Sequence, residues 1–146
     1  MAEDTLSAKQ ISDRIAGSIS LIDLRLRHVK ANLFLLAPEP ELEIWPTVEP
    51  SMTRLSDLVV YDTKYVIQAQ DSRQRPAVEA EVTFTLIFQL ADQSISSEDL
   101  AAFGAVGALS VAHPYVRELI HSLTARMGIP PLLLEVMPPE SELAST

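Results

Sequence analysis

The chain contains no cysteine, which excludes disulfides, thiolate nucleophiles, cysteine-ligated zinc and iron–sulfur clusters, and fits a reducing compartment. Glycine is scarce as well: there are four, and none forms a G-x-G-x-x-G loop after a strand, so no phosphate-cradling loop is expected. No run of about 18 apolar residues occurs, which leaves no candidate membrane-spanning helix. The opening Met1-Ala2-Glu3-Asp4 is acidic and lacks an apolar stretch, so no signal peptide is expected and a cytoplasmic location is. Positive charge is in short supply, with 11 Lys and Arg against 20 Asp and Glu and a formal net charge of −9. Such a surface repels a phosphate backbone and an anionic bilayer alike, so neither nucleic-acid binding nor membrane insertion is expected.

What the chain does have is apolar. Its 146 residues are 47% hydrophobic and 21% charged, enough for one domain over 1–146 that buries its own core. A mean hydropathy of +0.16 beside so large a net charge suits an oligomer, or a surface that holds other polypeptides.

The pattern along the chain changes period several times. Residues 5–20 read as an amphipathic helix, with Ala8, Ile11, Ile15 and Ile19 at helical spacing. From Leu21 the period is two: Ile22, Leu24 and Leu26 alternate with Asp23, Arg25 and Arg27, and Val29, Ala31, Leu33 and Leu35 continue one step out of phase. That slip predicts one long strand over 21–36 with a β-bulge, and sets Phe34 and Leu36 on the face of Lys30 and Asn32. Residues 37–57 hold Pro38, Pro40, Pro46 and Pro50 and read as a connection in which only Glu41–Trp45 forms a short edge strand. Residues 58–70 alternate again, a polar turn over 71–76 follows, and Val78, Ala80, Val82, Phe84, Leu86, Phe88 and Leu90 define an unmistakable strand with one apolar face. Ile87 interrupts its polar face and hints at a contact there.

Helical spacing then returns. Ser96, Glu98 and Asp99 supply a cap and an acidic first turn. A small apolar run, Leu100–Ala108, leads to a helix expected to start at Pro114, carry the stripe Val116, Leu119, Ile120, Leu123 and Met127, and stop at Gly128. Leu132–Val136 reads as a short extended run, and the polar tail over about 138–146 as frayed. Strands followed by helices give an α+β fold, a four-stranded antiparallel sheet with helices packed on one face.

Signals for catalysis are few. His28, His113 and His121 fall on three different expected elements with no metal-ligand spacing, no Gly-x-Ser-x-Gly elbow exists, and Glu79 and Glu81 fit a solvated strand face. No enzyme activity, metal or cofactor is expected. Arg117 suits a contact with a carboxylate or with another subunit.

The stretch His113-Pro114-Tyr115-Val116-Arg117-Glu118-Leu119-Ile120-His121-Ser122-Leu123-Thr124-Ala125-Arg126, followed by Ile129-Pro130-Pro131-Leu132-Leu133-Leu134, resembles the C-terminal motif of the SecB chaperone family, a Pro-Tyr-x-Arg-Glu helix followed by proline and leucines. Glu81-Val82 and Ile87-Phe88 fall where the family's last strand carries similar pairs, and the likeness runs over about residues 20–137. The resemblance implies an ATP-independent holdase, assembled as a homotetramer (a dimer of dimers), that holds unfolded clients in apolar grooves for export or guards an antitoxin. By position it implies client-binding roles for Leu33, Phe34, Leu35, Leu42, Ile44, Trp45 and Phe103, and a contact with the export motor ATPase through Glu81. The sequence also departs from the family. Lys30 and Phe34 stand where acids are expected, Thr85-Leu86 replaces a Gly-Gly pair, no lid helix follows the leucines, and an N-terminal helix is added. These departures tilt the expectation toward a dedicated partner. A small-ligand-binding α+β domain with an enclosed apolar pocket is the alternative, and a purely structural oligomerisation module is a third.

Overall fold

The computed structural model describes residues 6–140. The chain begins with helix α1 (Ala8–Ile15) and a 3-10 turn (Ala16–Ser18), and continues through four strands, β1 (Ile19–Leu33), β2 (Glu43–Leu55), β3 (Leu58–Gln70) and β4 (Pro76–Leu90). Helix α2 (Ser97–Phe103), a π-helical segment (Gly104–Ala108) and α3 (Leu109–Arg126) follow as one unbroken helical run. The strands form a single antiparallel sheet in the order β1-β4-β3-β2, so the architecture expected from the sequence is present.

Alternation explains which side of the sheet the helices cover. Val59, Tyr61, Tyr65, Ile67 and Ala69 of β3 and the alternate residues Val78, Ala80, Val82, Phe84, Leu86, Phe88 and Leu90 of β4 are buried beneath α2 and α3. In register with them on β1 stand Ile19, Leu21, Leu24, Leu26, Val29, Ala31 and Leu33, kept on one face by shifts between Leu21 and Asp23 and between Leu26 and His28. The phase slip in the sequence is therefore a real bulge, with a second one before it. Each lets one residue drop out of the ladder while the apolar series stays on the core side.

Phe88 packs edge-on against Tyr61 and Phe103, and Tyr61 and Phe103 meet at a tilt, with ring centroids 5.1–5.9 Å apart. The Tyr61 hydroxyl donates to the Leu100 carbonyl at 2.6 Å. Helix α1 closes this end. Ser7 and Gln10 form a reciprocal capping box, Ile15 is buried, and Arg14 donates to Asp99 of α2 at 2.8 Å. A Cβ at Gly107 would stand 2.4 Å from the Phe103 ring and 2.9 Å from Ser12 Oγ, so glycine there is what admits α1 to the helix layer.

Four expectations need correction. The first helix is shorter than 5–20 among the described residues, and Ile19 opens β1 instead of ending α1. Residues 43–55 are a full strand rather than a connection with a short Glu41–Trp45 strand. Proline cannot donate to a neighbour, but β2 is an edge, and Pro46 and Pro50 share one parity, so both direct their missing N–H away from β3. Pro114 is the sixth residue of α3 and not its start. Both Pro114 and Ser110 are exposed, so water reaches the carbonyl left without an amide donor. His113 and His121 consequently lie on the same helix.

Candidate polypeptide-binding surface

Six of the seven candidate residues gather at one end of the sheet but do not share a face, and Phe103 lies toward the other end, against Tyr61 and Phe88. Leu33 and Ile44 lie in one row across it, through Val78 and Ala69, on the helix-covered side, and Leu35 and Leu42 are half-buried against the same core. Trp45 lies in the next row with Gln68, Glu79 and Asn32, which face away from the helices. Phe34 emerges on that outer side too. Trp45 is 41% and Phe34 52% exposed. Adjacent residues of a strand point to opposite faces, so neither aromatic joins the leucines. Phe103 is 6% exposed, locked among Tyr61 and Phe88, and belongs to the core rather than to an accessible groove.

A cleft of about 310 Å³ opens between Leu42, just before β2, with the helix-side residues Ile44 and Pro46 of β2, and Leu133, Leu134 and Glu135. It continues past Met137 toward Pro138 and Pro139. Its second wall is the segment after α3, which reverses at Gly128 (φ 78°) and returns along α3 without strand pairing. Three side chains of α3 hold this arm. The Leu132 amide donates to Thr124 Oγ1 at 2.9 Å, Arg117 Nε donates to the Leu134 carbonyl at 3.0 Å, and His113 Nε2–H donates to the Glu135 carbonyl at 2.7 Å. A carbonyl only accepts, so His113 Nδ1 is left as an acceptor for the Tyr65 hydroxyl at 2.6 Å. Burial pushes the Tyr65 phenol well above its ordinary range. Arg117 Nε thus grips a backbone carbonyl of its own chain rather than a carboxylate.

Ile129, Leu132 and Leu134 are buried by this docking, whereas Leu133 is 65% and Met137 75% exposed. Leu133, Leu134, Met137 and Pro46 went unnoticed as site residues in the sequence. The alternation of buried and exposed leucines was a visible signal, and Pro46 was masked by its reputation as a strand breaker.

The outer face is polar and internally neutralised. Arg27 reaches both oxygens of Asp62 at 3.1–3.2 Å, Thr85 donates to Asp62 at 2.6 Å, Lys64 lies 3.8 Å from Glu49, and His28 lies 3.6 Å from Glu81. Among the described residues no cluster of three or more His, Asp or Glu is arranged to hold a metal, and no described helix is long and apolar enough to cross a membrane.

No family model matches the chain. Individual relatives do. SecB-like chaperones from two strains of Mycobacterium tuberculosis are 26% and 28% identical, each alignment covering 92% of this chain and 86% of the relative. The solved structure of one of them, Rv1957, in complex with a ChAD peptide from the HigA1 antitoxin, superimposes with a TM-score of 0.81 and 25% identity over 90% of this chain and all of that one. The chain thus resembles the SecB-like chaperones in sequence and in fold. The protein-export protein SecB of Anaplasma phagocytophilum is a further relative, 27% identical over 62% of this chain and 58% of its own length. The likeness to the Mycobacterium proteins covers about nine-tenths of this chain.

Proposed function

We propose that the protein is a holdase chaperone that binds unfolded or nascent polypeptide without nucleotide, with a dedicated antitoxin-like partner favoured over general export. The observation that carries this reading is the cleft between β2 and the C-terminal arm. Leu42, Ile44, Pro46, Leu133 and Leu134 line it, and it is open to solvent. Burying one apolar client side chain there gives about 1.5–3 kcal/mol, and several such contacts along one chain add through multivalency. An open trough suits an extended polypeptide better than the enclosed pocket of a small-ligand domain. The likeness to a chaperone solved with an antitoxin peptide supports the same reading.

Two partner readings go with it. Leu21, Leu26 and Val29 of the edge strand β1 are exposed on the helix side, beside the exposed Tyr115, and the Tyr115 ring lies 6.2 Å from Phe84. An uncovered apolar strip along an unpaired edge supports homotetramer assembly through β1. Docking of an export motor through Glu81 is disfavoured, because that carboxylate already lies 3.6 Å from His28 and has Lys30 as its cross-strand neighbour. A cytoplasmic location goes with a polypeptide client that has not left the cell.

The test is suppression of aggregation of a denatured protein, together with anisotropy of a labelled apolar peptide. Ile44→Ser and Leu133→Ser each weaken peptide binding about tenfold, whereas Trp45→Ser, on the other face, leaves it unchanged. A protein that keeps no denatured client soluble refutes the proposal.

A further inference from the structure

Asp71 follows the last residue of β3, in the tight connection to β4 where a charged side chain ordinarily meets water. Here it is fully buried, and its two oxygens have separate partners. Oδ1 accepts from the Arg73 and Arg75 amides, each at 3.0 Å, which closes the turn. Oδ2 accepts from Arg75 Nε at 3.0 Å and Nη2 at 2.7 Å, and from the backbone N–H of Glu39 at 3.1 Å, 32 residues earlier in the chain. Burial acts to raise the Asp71 pKa, but the hydrogen bonds from Arg75, Glu39 and Arg73 outweigh it and hold the carboxyl well below the usual carboxylate range.

Glu39 sits in the crossover that carries the chain from one edge of the sheet, β1, to the other, β2. It is flanked by Pro38 and Pro40, which have no N–H, so its amide is the only donor this tripeptide has. Two residues on, Glu41 adopts the left-handed region at φ 68°, a conformation that a side chain other than glycine keeps only where its surroundings impose it. Closing the turn requires Oδ1 alone. The reach of Oδ2 to Glu39 is an additional function, and it ties the β3–β4 connection to the strand entry that carries Leu42 and Ile44.

We propose that Asp71 is a positioning residue for polypeptide binding: through Oδ2 it fixes the crossover and so sets Leu42 and Ile44 against the C-terminal arm. This rests on the chaperone reading above. Without the bond, the crossover must be ordered at the moment a client binds, and affinity falls by that cost.

Asp71→Asn is the decisive substitution, because it retains an oxygen for the turn amides and turns an NH2 group toward Glu39 and Arg75. Asp71→Ser, whose hydroxyl also caps the turn but does not reach Glu39, is the second. Arg75→Lys is the control that leaves the Glu39 contact in place. Amide exchange at Glu39 by NMR, anisotropy of the labelled apolar peptide and thermal melting are read on the full chain. Exchange at Glu39 rises and peptide affinity falls, each about tenfold, in both Asp71 variants, while Arg75→Lys lowers the melting temperature and leaves exchange and affinity in place. Lower melting temperatures in all three with unchanged affinity confine Asp71 to the turn and overturn the proposal, as does a Glu39 amide that stays protected in Asp71→Asn. Failure of the unsubstituted protein to bind any peptide refutes the chaperone reading instead, and Glu39 exchange then still decides whether Asp71 anchors the crossover.

Discussion

A double-mutant cycle on Tyr65 and His113 tests how the C-terminal arm is held. Tyr65 is completely buried and His113 2% exposed, their rings stack at 5.7 Å with planes 27° apart, and the hydroxyl donates to Nδ1 at 2.6 Å. His113→Phe keeps the stacking ring but strands the Tyr65 hydroxyl where water cannot reach it, a loss of about 1–3 kcal/mol. The Glu135 carbonyl it also abandons belongs to an exposed residue and recovers a water partner. Tyr65→Phe strands Nδ1 instead, at a similar cost of about 1–3 kcal/mol. With both replaced, no buried polar atom of the pair is orphaned, so the double variant loses less than the two singles together, with a coupling of roughly 1–2 kcal/mol. Urea unfolding at one fixed protomer concentration measures this as shifts of midpoint at constant slope, and each kcal/mol corresponds to about 2–4 °C in Tm. Losses that add to within about 0.5 kcal/mol refute the reasoning, because independent sites add and a shared hydrogen bond does not.

Thr63 lies fully buried between Tyr61 and Tyr65 on β3, and its Oγ1 is a buried side-chain oxygen with no hydrogen-bond partner. Thr63→Val replaces it at nearly constant volume and should raise stability by about 1 kcal/mol, read from the urea midpoint; a destabilised variant would show that the hydroxyl has a partner after all. Asp71 makes an acid-side prediction. Its folded pKa is depressed below the ordinary value of 3.8, so its contribution is complete above that value and is lost as pH falls from there toward the folded pKa. Between about pH 5 and about pH 2.5 the unsubstituted protein should therefore lose more stability than Asp71→Asn, which has no carboxyl to protonate there; parallel losses would contradict the hydrogen-bonded carboxylate.

Much of the sheet was legible because alternation is a strong signal where one face is buried. The run Val78 to Leu90 could hardly be anything but a half-covered strand, and the phase slip after Leu26 announced its bulge. β2 was equally periodic, with Ile44, Val48 and Met52 on one parity and Glu43, Thr47, Glu49 and Ser51 on the other. The rule against proline in central strands hid it, since sequence alone does not say which strand lies at an edge. Pro114 misled in the same way: a position that suits a helix start is also tolerated inside a helix on its wet side. At the site, the sequence already contained the means to separate the candidates. The alternation sets Phe34 on the face of Lys30 and Asn32, so it cannot join Leu33 and Leu35, and by the same rule Trp45 cannot join Ile44. Asp71 was illegible, because an aspartate in a polar turn looks the same whether its second oxygen meets water or a distant amide.

The two edges of the sheet present opposite surfaces to a partner, and that difference gives the molecule a direction. Along β2, Pro46 and Pro50 remove alternate outward donors, so a further strand added there would find its ladder broken at every fourth residue. Binding at that edge must therefore come from side-chain burial, which reads hydrophobicity rather than register and tolerates many sequences. β1 carries no proline over fifteen residues and keeps an apolar strip on the same face as the helices, so backbone pairing remains open to it. Pairing of that kind fixes register and suits one partner of fixed sequence, such as another copy of the chain. On the proposed reading, the proline-bearing edge suits transient, sequence-tolerant contact and the proline-free edge suits a contact of fixed register.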